Sequence, residues 1–181
     1  MTTKFFTSDT HFDHARVIEY CKRPFSDVSE MNETIISNWN KTVKPGDLVY
    51  HLGDFAFIKD TEKYLKLLAR LNGSIHLIKG NHDRLDAVVA KEFATVSNYK
   101  EIKDEADGNK VVLSHYSHRV WNRSHRGSLM LYGHSHGSLK GCCQSLDVGV
   151  DAWDFTPVTL EQIKRRMKTL GPLFVNHREE E

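Results

Sequence analysis

The stretch Leu48-Val49-Tyr50-His51-Leu52-Gly53-Asp54 decides the fold, because an apolar run of strand length stops at a glycine and a metal-ligating carboxylate. Working outward, four more runs end the same way. Phe5-Phe6 leads to Asp9-Thr10-His11, and Ile75-His76-Leu77-Ile78 leads to Gly80-Asn81-His82-Asp83. Val111-Val112-Leu113 leads to His115, and Leu129-Met130-Leu131-Tyr132 leads to Gly133-His134-Ser135-His136. In open α/β sheets the loops beyond the carboxyl ends of the strands build the active site. Function is therefore to be read from these five loops.

Helical patterns lie between the ligand loops. Asp27 with Glu30 three residues on marks a helix start, and Val28, Met31, Ile35 and Trp39 share one face. A second helix is expected over Asp60 to Leu71, with Tyr64, Leu68 and Leu71 inward and Gly73 as its stop signal. Strand, helix, strand, helix, strand over the first half predicts an α/β fold. After Asp86 the chain turns strand-rich, with short segments around Val96, Tyr99 to Ile102, Val111 to Leu113, Leu129 to Tyr132 and Leu146 to Val150. Thr159 and Gln162 fit a capping box that opens a last helix from Leu160, and Gly171-Pro172 ends it. With no repeat or linker, one domain over 1–172 and a frayed tail, 173–181, are expected.

At 181 residues, 39% hydrophobic and 27% charged, the chain suits a globular domain with a sizeable core. A formal net charge of +1 provides no global field for a polyanion or a membrane surface, so attraction to anions must be local. No apolar run approaches membrane-spanning length, and Met1 to Ser8 is too short for a signal core. Cys21, Cys142 and Cys143 form no CxxC pair. A cytoplasmic, reducing setting with no membrane partner is the expectation.

Along an extended segment residues two apart point the same way, so Asp9 and His11 can grip one ion, as can His134 and His136 from the other side. Mixed imidazole and carboxylate donors suit zinc, iron or manganese, whereas calcium wants oxygen almost alone. Asp9, His11, Asp54, Asn81, His115, His134 and His136 are too many for one four-coordinate zinc with an open position, so two ions fit better. If Asp54 bridges them, the two cations face two carboxylates and the centre stays at about +2, which attracts phosphate.

Asp9-x-His11, Gly53-Asp54, Gly80-Asn81-His82-Asp83, His115 and Gly133-His134-x-His136, taken in order, resemble the motifs of the calcineurin-like metallophosphoesterases. The opening Ser8-Asp9-Thr10-His11-Phe12-Asp13-His14 and the compact length resemble the small phage and bacterial members. The resemblance implies a four-layer αββα sandwich of two mixed sheets flanked by helices. It implies that Asp9, His11 and His136 hold one divalent ion, that Asn81, His115 and His134 hold another, and that Asp54 bridges. Manganese is expected, with iron, zinc or nickel as alternatives. Water between the ions would be the nucleophile, His82 the general acid toward the leaving oxygen, and Asp83 the residue that orients it. Protein phosphatases of the family follow Gly-Asp with an acidic residue and an arginine. Here Phe55-Ala56-Phe57 follows Asp54, which favours a phosphodiester, nucleotide or nucleic-acid derived, over a protein substrate.

Other residues keep two readings. Arg16 and Arg23 are candidates to bind phosphate oxygens or are solvated helix charges. His118 and His125 flank Trp121-Asn122-Arg123, a loop that either places His118, Arg123 and His125 over the substrate or lies apart on the surface. His14 stays open, His51 reads as packing or support for a ligand, and His76 and His177 read as surface residues. Alternatives to the diesterase are a phosphomonoesterase or protein phosphatase with the same site, a dedicated nuclease, and a non-catalytic metal-binding scaffold.

Overall fold

The structure, a computed structural model, describes residues 2–172. The tail expected over 173–181, with His177, lies outside them. The first sheet has the order β4-β3-β2-β1-β9. Within it β1 (Lys4–Thr7), β2 (Leu48–His51), β3 (Ser74–Ile78) and β4 (Thr95–Ser97) run parallel, and β9 (Val158–Thr159) pairs antiparallel with β1. The second sheet has the order β5-β6-β7-β8. There β5 (Tyr99–Lys103) is antiparallel to β6 (Lys110–Ser114), while β6, β7 (Leu129–Tyr132) and β8 (Ser145–Asp147) are parallel. Both sheets are therefore mixed, as expected.

Alternation along the strands sorts side chains into three layers. Phe5, Val49, Ile75 and Leu77 face α2 (Val28–Thr42), α3 (Thr61–Leu68) and α4 (Ala87–Glu92). Their neighbours Phe6, Tyr50 and Ile78 meet Val111, Leu113, Leu129 and Leu131 in the core between the sheets. Val112, Met130 and Tyr132 face outward from the second sheet and are covered by Trp121. The outer layer there is thin: the 116–128 loop with one 3-10 turn, Ser124–Arg126.

Local signals hold in most places. Asp27 caps α2 by accepting from the Glu30 amide at 2.8 Å, but the Glu30 carboxylate reaches back to the Ser26 amide instead of to Asp27. The Thr159/Gln162 capping box opens α5 (Leu160–Met167) as predicted. α3 ends earlier than expected because Arg70 and Leu71 tighten into i→i−3 turns before Gly73 at φ +90°. In consequence Leu67, not Leu68, turns fully inward. Two six-residue helices, α1 (Ala15–Tyr20) and α4, are too short to show a periodic stripe in the sequence. Among the described residues no helix is long and apolar enough to cross a membrane.

Candidate metal centre

β1, β2 and β3 of the first sheet and β6 and β7 of the second release their ligand loops toward one pocket. Asp9, His11 and His136 present donor atoms all within 4.8 Å of one another, and so do Asp54, His115 and His134. Asp54 Oδ2 joins the sets, 3.6 Å from His11 Nε2 and 3.5 Å from His115 Nε2. Asn81 Oδ1 lies 3.0 Å from His115 Nε2. All seven candidate ligands are thereby brought together, and each set draws on both sheets.

The backbone that does this is not the extended one assumed for the two-residue spacings. Asp9, His11, Asp54, His134 and His136 sit at φ values of 56°, 48°, 55°, 67° and 47°. This left-handed region costs an L-residue about 1–2 kcal/mol, and Asp, Asn and His enter it most readily. Cross-loop hydrogen bonds hold it, with the Asp9 amide donating to Gly53 O at 2.9 Å and the His11 amide to Asp54 O at 3.0 Å. Two motif glycines answer to close approach. A Cβ on Gly80 would collide with Asp54 Oδ1, and one on Gly133 with Ser8 Oγ and Asp9 Oδ2.

Beneath the ligands lies a layer of fixed polar groups. His51, fully buried and held neutral by burial with its pKa pushed down to about 3, accepts from the Gly53 amide at Nδ1. Its Nε2 proton is therefore free for Thr10 Oγ1 at 3.0 Å, and that hydroxyl donates to Phe55 O at 2.7 Å. This is the support role allowed for His51. His115 donates from Nδ1 to Leu52 O at 2.7 Å, which leaves Nε2 as its donor atom toward Asp54 and Asn81.

Two expected substrate-side roles are corrected. Asp83 is buried and accepts the Asp54, Gly80 and Phe55 amides, each at 2.8 Å, so it binds two ligand loops together and does not orient the His82 ring. Arg23 is buried as well, in a two-pronged ion pair with Asp151 at 2.7 and 2.8 Å, while its other protons go to Thr10 O and Asp9 O. No face of it is left for a substrate. Asp151 in turn accepts from His136 Nδ1 at 2.7 Å and aims Nε2 at Asp9. Asp147 clamps the fifth loop through Ser135 Oγ at 2.8 Å and the Gly137 amide at 2.9 Å. Sequence reading missed Asp147 and Asp151. The available signal was a sixth strand end, Leu146-Asp147-Val148-Gly149-Val150-Asp151, with two carboxylates.

The His82 ring is exposed, 5.6 Å from the His11 ring centroid and 6.0 Å from that of Phe57, and its amide donates to Asp54 Oδ1 at 2.9 Å. Arg16 is exposed on the groove that His82 lines. Tyr116 donates to Asn81 Oδ1 at 3.3 Å on the opposite side. His118 instead bonds Ser114 Oγ at 3.1 Å and stacks on Tyr99, with Arg123 and His125 on the outer turn over the second sheet. None of those three makes a hydrogen bond or ring contact with a ligand residue.

Whether a cation fits can be tested on the donors themselves. Asp9 Oδ1 and His11 Nε2 are buried with no hydrogen-bond partner. Burial pushes the Asp9 carboxyl up to about 7 and the His11 imidazolium far down. At His136 burial acts downward but the Asp151 contact outweighs it, raising the pKa to about 10. At Asp54 burial acts upward but His115 and the His82 amide outweigh it, leaving the pKa at about 2. Asp9 Oδ1 and His11 Nε2, buried without a partner and 3.9 Å apart, are complementary to a divalent ion, and the mixed O/N set suits a borderline transition metal.

Fold and site together define a metallohydrolase whose centre straddles two sheets. The chain belongs to the calcineurin-like phosphoesterase superfamily, whose domain model matches residues 5–145. It is accordingly a metal-dependent hydrolase acting on phosphate esters. It is 36% identical over 167 residues to an uncharacterized protein of Methanocaldococcus jannaschii, with 88% of each chain covered. Similarity to the Gene 66 protein of Mycobacterium phage L5 is 28% over 184 residues, covering 84% of this chain and 88% of that one. A solved structure from Aquifex aeolicus, of a protein of unknown function, superposes with a TM-score of 0.73 at 28% identity. It covers 92% of this chain and 100% of its own.

Proposed function

We propose that the chain hydrolyses phosphodiesters, nucleotide or nucleic-acid derived, with two divalent ions of which manganese is the first choice and iron, zinc and nickel the others. Asp9, His11 and His136 would hold one ion and Asn81, His115 and His134 the second, with Asp54 between them. When bound, the ions supply acidification of water and neutralisation of phosphoryl oxygens. Asp151 and Leu52 O take the Nδ1 protons of His136 and His115, so that both rings offer Nε2. His82, exposed beside His11 and fixed through its amide on Asp54, is the group that holds a proton for the leaving oxygen.

The observation that carries this reading is the Asp54 carboxylate placed between His11 Nε2 and His115 Nε2 at nearly equal distances. Support for a diester comes from the chain after Asp54, where Phe55-Ala56-Phe57 stands in place of the acidic residue and arginine of the family's protein phosphatases. The test is turnover of paired chromogenic mono- and diesters by protein loaded in turn with manganese, iron, zinc or nickel, with metal content measured. Diester preference is expected, and Asp54→Ala and His82→Ala should each abolish it while far-UV circular dichroism is kept. Unchanged hydrolysis in both variants overturns the mechanism, and monoester preference overturns the substrate class.

A further inference from the structure

We infer that the groove beside His82 is a subsite for a leaving alcohol that carries a planar heteroaromatic ring of nucleobase class, selected by Phe57. The inference rests on the phosphoesterase reading above and deepens it. The groove measures ≈ 550 Å³ and runs from the ligands His11 and His136 past His82 to Phe57, His14 and Tyr20. That size is ordinary for a small-molecule site.

Three observations give the groove its chemistry. Large aromatic side chains are usually buried, yet Phe57 is 49% and Tyr20 68% exposed here, on the same groove as the candidate acid. The Phe57 ring is also held in place: it stacks on His14 with centroids 4.5 Å apart and planes 19° from parallel, and its amide donates to Phe12 O at 2.8 Å. A preordered ring presents a stacking surface at little entropic cost. Finally, the group that receives a proton from His82 departs on the His82 side of the phosphorus, which is the side where Phe57 stands, its ring 6.0 Å from that of His82. The subsite therefore reads the leaving group and not the phosphoryl group that stays at the ligands. With Arg16 as the one arginine or lysine among the lining residues, selection by π surface prevails over selection by charge.

The test compares inhibition of chromogenic diester hydrolysis by adenosine 5′-monophosphate and by ribose 5-phosphate, which share phosphate and sugar and differ in the base. Manganese-loaded full-length chain is used as wild type, Phe57→Ala and Phe57→Trp. A stacked base is worth about tenfold, so the wild type should bind the nucleotide about tenfold more tightly than the sugar phosphate. Phe57→Ala should bring that ratio near one, and Phe57→Trp, which keeps a π face, should preserve it. A wild-type ratio near one, or a ratio that survives Phe57→Ala, overturns the subsite while diester hydrolysis still upholds the phosphoesterase reading. If the wild type neither hydrolyses the diester nor binds inorganic phosphate by calorimetry, the phosphoesterase reading fails and the subsite falls with it.

Discussion

The Asp9, His11 and His136 half of the centre is backed by a buried ion pair, whereas the Asn81, His115 and His134 half leans on a backbone carbonyl and opens to solvent at Asn81 and His134. Asp9 and His11 are almost fully enclosed, and the Arg23–Asp151 pair grips both their loop and His136. In the other half Asn81 and His134 are exposed, and His115 is aimed by Leu52 O, a group no side-chain replacement removes. Similar donors are thus wired differently. The first half is tied to the stability of the fold, and the exposed Asn81 and His134 of the second can change with little effect on it.

The largest effect should come from the residue common to both halves. Asp54→Ala is expected to lower turnover on the order of 10³-fold or more, ~4 kcal/mol of transition-state stabilisation. Elemental analysis of that variant should show both ions weakened. Asp151→Ala comes next, since it leaves the Arg23 guanidinium buried without its partner. Urea denaturation should show a loss of about 3–5 kcal/mol. Metal affinity should fall about 10–100-fold as His136 loses its orienting contact. Asn81→Ala, on the open side, should reduce metal content toward one ion while stability stays within about 0.5 kcal/mol of wild type. If Asn81→Ala destabilises as much as Asp151→Ala, the contrast between the halves is broken.

The smallest effect lies away from the centre and calibrates the others. Glu101 accepts from Lys110, Asn122 and Tyr99, which together hold its carboxyl down at about 2. Because the folded value is depressed, its contribution is complete above the unfolded value of about 4.3 and is lost as pH falls from there toward 2. The cluster is largely solvent-screened, so the contribution is under about 1 kcal/mol. Chemical denaturation at pH 7 should separate Glu101→Gln from wild type by that amount, and the gap should close by pH 2.

The five ligand loops were legible because each strand is apolar and each ends at a residue with few other uses there. Capping signals at Asp27 and Thr159 were legible for the same reason, since local chemistry decides them. What stayed hidden depends on burial. In a sequence Arg23 is a cation in either role, and only the fold shows that its guanidinium faces Asp151, 128 residues away. Asp83 follows His82 and by adjacency reads as its orienting partner, yet its carboxylate turns beneath the loops to collect three amides. The left-handed ligands were also illegible, because spacing two apart is the same in a strand and in a coiled loop. The 116–128 loop reads equally as a cover over the substrate or as a surface loop, and only the fold packs Trp121 on the outer face of the second sheet.

Since each ligand set takes donors from both sheets, a bound cation acts as a rivet through the sandwich, and the sheets cannot part without tearing it out. Occupancy and cohesion then become one quantity. At a free cation level one hundred times its dissociation constant, each such rivet adds about 2.7 kcal/mol to the folded state. The melting temperature of this chain should therefore climb with the surrounding metal supply and sink on chelation, so that a thermal melt alone reports how well the two sheets are pinned.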